Sequence, residues 1–275
     1  MDLKILLKHM APHLQIFKIM KSKVLSYSFI VLLITIIGYS CKKTSTAAIV
    51  IDENVNSNIP AIYSKIYGNT SLSSDGTYVY IKTAGTPDHK SPYYPTSSSL
   101  YEAYSGTTFT GVTFQKNPNV IAAQNYTFKI PLNPKVASNH TATPLGPIGI
   151  ALNGVPFYNQ YAGPNQPLTN EVMSFDKYYG HPTGTSQYHY HVEPLYLTTV
   201  KFTKSSLLGF LLDGFPVYGP EENGAAVQNS SLDAYHGHTT ATIDYPNGIY
   251  HYHITDADPY LNGSGFYGTP GTVTR

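Results

Sequence analysis

The sequence has one cysteine, Cys41, in 275 residues. That scarcity excludes an internal disulfide, a thiolate zinc ribbon and a dithiol redox centre, so metal chemistry is left to histidine and oxygen. Charge is scarce as well: Asp, Glu, Lys and Arg make up 12% of the chain. From Cys41 onward 12 basic residues face 15 acidic ones, a balance of about −3 with neutral histidines. No basic patch offsets it, which argues against electrostatic binding of nucleic acid. What is plentiful is 25 tyrosines, 22 glycines and 20 prolines, the composition of a turn-rich β protein with little helix. Taken alone, the length fits one large all-β domain or two small ones.

Near the start, Val24 to Cys41 carries no charged residue, and its core Phe29 to Ile37 is almost wholly apolar and is preceded by Lys18, Lys21 and Lys23. That order is a signal peptide's, and its natural start is Met20, with Met1 to Ile19 either a mis-assigned start or a long basic leader. Cys41 follows Gly38 and Ser40 at the end of the run, where a bacterial lipoprotein places its lipidated residue; Gly38 replaces the usual aliphatic residue of that motif. The alternative is an uncleaved anchor, since the run is long enough to cross a bilayer as a helix. The expectation is an export segment over residues 1–41, a flexible tether over 42–58 and a folded domain over 59–275. Such a protein is exported to the cell envelope of a Gram-negative-type bacterium and lipid-anchored to a membrane.

Within the folded part, Gly-Thr-Tyr-Val-Tyr-Ile-Lys-Thr (76–83) and Asn-Tyr-Thr-Phe-Lys-Ile-Pro-Leu (125–132) alternate as strands do. The strongest internal signal is a repeat. Ile148 to Tyr158 (IGIALNGVPFY) aligns with Leu208 to Tyr218 (LGFLLDGFPVY), Phe175 to His181 with Leu232 to His238, and the tetrapeptide Tyr-His-Tyr-His of 188–191 with that of 250–253. Two units, 148–191 and 208–253, are therefore predicted to pack as a pseudo-twofold pair. Asn153-Gly154 and Asp213-Gly214 predict a two-residue hairpin turn in each. Pro156 and Pro216 lack a ladder donor and predict that the second arm of each hairpin lies at a sheet edge or bends away. The predicted fold is mainly β, a single sandwich or distorted barrel with a few short helical turns, including one at each Asp-to-Gly-His element, and with the two tetrapeptide strands near the pseudo-axis.

These motifs, with Pro87-Asp88-His89, resemble those of the YHYH protein family over roughly Ile81 to Gly268. The resemblance implies the family's arrangement of hairpin, Gly-His element and YHYH strand, but no particular reaction. Where related chains often carry cysteines before the Gly-His glycine, this one has Tyr179 and His236.

The period of two sends His189 and His191 to one face of their strand, about 6 to 7 Å apart, and Tyr188 and Tyr190 to the other. His181 can reach that pair across a turn. His181, His189 and His191, and likewise His238, His251 and His253, are therefore candidate triads for Zn²⁺ or Cu²⁺. Asp176 and Asp233 fall five residues before the Gly-His histidines, close enough to ligate an ion directly or, the favoured reading, to orient an imidazole, and placed equally to cap a helical turn. Asp213 and His89 are further candidates beside a site, while His140 and His236 are expected to face solvent. Three functions fit: a metal-binding lipoprotein, a metal-dependent enzyme with an open triad, or an adhesion or glycan-binding module with structural histidines and tyrosine platforms.

Overall fold

The computed structural model describes residues 59–275. The export segment, Cys41 and the tether lie outside the described residues. Among the described residues no helix is long and apolar enough to cross a membrane.

The alternating segments form the strands they predict. β1 (Ser71–Ser74), β2 (Tyr78–Thr83) and β3 (Tyr126–Pro131) pair antiparallel, and the last strand, β16 (Thr272–Thr274), adds to β3. Val79 and Ile81 of β2 and Tyr126, Phe128 and Ile130 of β3 all point to one buried face, as period two requires.

The repeat builds a second, eight-stranded sheet. Its strands are β4 (Gly149–Ala151), β5 (Pro156–Phe157), β8 (Gly180–Pro182) and β9 (Tyr188–Tyr190) from the first unit. The second unit gives β10 (Leu207–Leu211), β11 (Pro216–Tyr218), β14 (Gly237–Thr240) and β15 (Ile249–His253). Between them, two small hairpins stand off the sheet: β6 (Tyr161–Ala162) with β7 (Gln166–Pro167), and β12 (Glu221–Glu222) with β13 (Ala225–Ala226).

The order β14-β15-β11-β10-β4-β5-β9-β8 reads the same from either end once the units are exchanged. The axis lies between β10 and β4, where Phe210 pairs with its own repeat equivalent Ile150, the register an antiparallel pair needs across a twofold. Leu152 N–H to Leu208 C=O and Leu212 N–H to Ile148 C=O, both 2.8 Å, are related by the same exchange. Gly149 and Gly209 flank the axis; a Cβ on Gly149 would stand 2.7 Å from the Leu211 side chain.

Both sheets contribute to one core, in which Ile81, Phe128, Ile150, Phe157, Phe210 and Val217 are buried together, a sandwich-like arrangement without a closed barrel. Tyr63 covers it at Phe210, with ring centroids 4.7 Å apart.

Four expectations are corrected. The tetrapeptide strands β9 and β15 are not near the axis, because the hairpin arms pair there and leave β9 and β15 five strand spacings apart. The hairpin loops hold three residues: Ala151 N–H bonds to Val155 C=O and Gly154 N–H to Ala151 C=O, both at 2.8 Å, and of Asn153 and Gly154 only the glycine has positive φ. Pro156 and Pro216 sit inside the sheet, because each is the first residue of its strand and pairing with β9 or β15 begins one residue later. Finally, the Asp-to-Gly-His elements are not helical. Each is a tight turn whose third loop residue, Tyr179 or His236, has positive φ, and the short helical turns lie just before it at Val172–Ser174 and Asn229–Ser231.

Candidate metal centres

In each unit the Gly-His histidine lies directly across from the first histidine of the tetrapeptide: His181 pairs with His189, and His238 with His251. The second tetrapeptide histidine projects from the same face two residues on. Three imidazoles thus meet over one strand pair. In the first centre the Nε2 atoms of His181 and His189 are 3.0 Å apart and those of His189 and His191 2.8 Å. In the second, His251 and His253 bring their Nε2 atoms to 3.1 Å.

The Nδ1 atoms explain this approach. A neutral imidazole has one N–H, and its place is set by the partner it meets. His189 Nδ1 donates to Gln187 C=O at 3.1 Å and His191 Nδ1 to Asn159 C=O at 2.5 Å. His181 Nδ1 meets Ser174 Oγ at 2.6 Å, and that hydroxyl donates to Glu171 C=O at 2.8 Å, so it accepts from the imidazole. In the second centre His251 Nδ1 donates to Ile249 C=O at 3.0 Å and His253 Nδ1 to Gly219 C=O at 2.8 Å, the repeat equivalents of Gln187 and Asn159. His238 Nε2 is buried and has no hydrogen-bond partner. The Nε2 lone pairs of the first triad therefore face one another with no proton between them.

Burial disfavours the charged form of five of the six rings. It holds His181 and His189 well below the usual imidazole range and brings His191 and His253 down to about 4. His251 is lowered for the same reason. Aromatic rings wall the first centre, with Tyr158 stacked on His189 at 3.9 Å and Phe175 edge-on to His181 at 4.8 Å. Three convergent neutral imidazoles are a donor set for Zn²⁺ or Cu²⁺. Tetrahedral zinc holds its nitrogens about 3.3 Å apart, so an ion needs only a slight opening of the first triad.

Glu171 and Glu222 were not anticipated. Glu171 Oε2 lies 3.5 Å from His181 Nε2 and 4.0 Å from His191 Nε2. Glu222 lies 3.4 Å from His238 Nε2 and 3.6 Å from His251 Nε2. Potential ligand atoms of Glu222, His238, His251 and His253 all fall within 4.8 Å of one another.

The other anticipated residues lie on the tyrosine face of the same strands. Asp176 accepts from Tyr188 OH at 2.9 Å, Ser91 Oγ at 2.6 Å and Tyr178 N–H at 2.9 Å. Asp233 accepts from Tyr250 OH at 2.9 Å and from Tyr235 N–H, also at 2.9 Å. Asp213 accepts from Tyr252 OH at 2.5 Å, and Asn153, its equivalent, donates to Tyr190 OH at 3.1 Å. His89 Nε2 accepts from that same Tyr190 hydroxyl at 3.2 Å, its Nδ1 being turned to Lys90 C=O. These four groups anchor tyrosines and make no contact with the triads. His140 is exposed and stacks on Tyr235 at 4.2 Å. His236, expected in solvent, is buried and meets Thr255 Oγ1 at 3.0 Å, because its turn folds it inward.

A cleft of about 580 Å³ opens beside the first centre, lined by all three imidazoles, Glu171, Asn117 and Tyr161. Another, of about 490 Å³, is lined by Glu222, His251 and His253.

Comparisons with curated proteins and with solved structures give no match. A family match covers residues 127–231 and 220–265, and so includes both hairpins, both Gly-His elements and both tetrapeptides. The chain belongs to the YHYH protein family.

Proposed function

We propose that this protein binds two divalent metal ions, Zn²⁺ or Cu²⁺, one on each histidine triad, as an exported lipoprotein of a bacterial cell envelope. The observation that carries the metal reading is the first triad. Its three Nδ1 protons are committed to protein acceptors, and three bare Nε2 atoms converge in a buried pocket, an arrangement that repels itself until a cation enters. The glycan-binding alternative needs imidazoles satisfied by the protein, and these Nε2 atoms are not. Export rests on the order of charge, apolar core and cysteine in residues 18–41.

Titration of protein purified without a histidine tag is expected to show two equivalents bound more tightly than about 100 μM, well within reach of imidazole sites. Replacing both His189 and His191 with Gln is expected to remove one equivalent and leave the other. No binding in that range refutes the metal reading. For the anchor, Cys41→Ala is expected to abolish incorporation of labelled fatty acid in cells, and equal labelling of both proteins refutes it.

The cleft beside the first centre favours a second reading, a metal-dependent enzyme in which a water on the ion is the attacking group. Metal-dependent hydrolysis of a chromogenic ester that disappears in the His189/His191 double variant would support it; equal rates in the two proteins would refute it.

A further inference from the structure

The two carboxylates come from positions that the duplication does not relate. The first blocks of the repeat align at an offset of 60 residues, which places Glu222 of β12 on Ala162 of β6. The Gly-His blocks align at an offset of 57, which places Glu171, the residue before the helical turn Val172–Ser174, on Gln228, the residue before the turn Asn229–Ser231. In one unit the carboxylate rises from the first strand of the small hairpin; in the other it comes from the segment that follows the hairpin. Both nevertheless end within 3.4 to 4.0 Å of two Nε2 atoms of their own triad. Inheritance from one ancestral unit does not explain that coincidence. A shared demand at both centres does.

That demand is not an imidazolium. The facing Nε2 atoms of the first triad are the unprotonated ones, since each ring has its N–H on Nδ1. A carboxylate placed against bare lone pairs is unfavourable unless a cation sits between them. We propose, resting on the metal reading above, that Glu171 and Glu222 are the fourth ligands of the two centres, each completing a three-imidazole, one-carboxylate site. Glu222 is the more firmly held: its Oε1 accepts from Thr240 Oγ1 at 2.6 Å, whereas Glu171 Oε1 has only Gly163 N–H at 3.3 Å. An outer hydrogen bond of this kind orients a carboxylate ligand. Glu222 is accordingly the better oriented of the two carboxylates.

The test isolates each centre in turn. In the His251→Gln/His253→Gln background only the first centre remains, and Glu171→Gln is expected to weaken its Zn²⁺ affinity about tenfold or more. In the His189→Gln/His191→Gln background Glu222→Gln is expected to do the same to the second centre, with Thr240→Val giving a smaller loss. Loading with Co²⁺ reports the ligand directly: each Gln substitution is expected to shift the visible ligand-field bands of its own centre, which a purely structural role does not. Glu222→Asp keeps the charge and is expected to fall between wild type and Gln. Both Glu side chains are partly exposed, so folding is expected to survive. Unchanged affinity and unchanged Co²⁺ spectra in both Gln variants overturn the carboxylate assignment while leaving the metal reading intact. A wild-type protein that takes up neither Zn²⁺ nor Co²⁺ overturns both.

Discussion

Asp213 and Asn153 hold equivalent places in the two units, and each meets the hydroxyl of the tyrosine that follows the first tetrapeptide histidine. Asp213 is fully buried, and burial pushes its carboxyl up to about 6 against the hydrogen bonds it accepts from Tyr252, Gly268 and Phe215. A folded-state pKa above the unfolded one favours the protonated acid. Its contribution is complete below the ordinary carboxylate range and is lost as pH rises through about 6. The shift corresponds to something on the order of 3 kcal/mol. Asp213→Asn, copying the first unit, is expected to remove this component, so the stability difference between variant and wild type should move in the variant's favour from pH 4 to pH 7. Urea unfolding of the metal-free proteins across that range checks it; a difference that does not vary with pH refutes it.

The six triad histidines were legible in the sequence because a strand has a period of two and the Gly-His blocks recur in register. The partners of Asp176, Asp233, Asp213 and His89 were not. Spacing places them near the strand but does not say which face they meet, and their neighbours are the tyrosine hydroxyls. Glu171 and Glu222 were hidden for the opposite reason: a search by repeat equivalence aligns them with Gln228 and Ala162.

Each unit depends at the level of its elements on the glycine that closes the hairpin. Gly154 and Gly214 have φ of 82° and 89°. A side chain at Gly154 would also collide with the Gly68 carbonyl, and one at Gly214 would come 2.7 Å from the Pro131 carbonyl. Backbone strain alone costs about 1 to 3 kcal/mol, and these collisions with backbone add to it. Gly154→Val and Gly214→Val are each expected to lower the melting temperature by several degrees; unchanged melting of both refutes the assignment. The existence of these hairpins was readable from Asn-Gly and Asp-Gly, but their three-residue form was not, since the glycine's φ and not the dipeptide's decides it. The same limit applied to Pro156 and Pro216. A missing donor excludes proline from a ladder only where a neighbour already pairs, and here the neighbour strand starts one residue later.

For the whole molecule, the duplication was legible and the position of its axis was not, because hairpin arms and tetrapeptide strands are both short segments that the repeat carries twice, and spacing along the chain does not say which pair meets across the axis. Acid stability follows from what the fold buries. His191 and His253 are held down to about 4, below the unfolded imidazole value near 6.5, so the fold favours the neutral rings. Their contribution is complete above about pH 6.5 and is lost as pH falls toward 4. Each such shift amounts to about 3 kcal/mol. Metal-free protein is therefore expected to lose stability steeply over that interval. Added Zn²⁺ is expected to raise the melting temperature at pH 7.5, to keep that effect at pH 5, and to lose it only below about pH 4, where protons compete for the ligands in the folded protein. A zinc-induced shift already lost at pH 5 refutes this.

The five strand spacings between β9 and β15 place the proposed ions about 24 Å apart along the sheet. Ions that share a substrate or bridge an oxygen in two-metal catalysis stand about 3.5 to 4 Å apart. At 24 Å their mutual repulsion is largely screened at physiological ionic strength, where fields decay over about 8 Å. Filling one centre is then expected to leave the other's affinity unchanged, so that metal titration shows no cooperativity, and any chemistry at either proposed ion would be mononuclear.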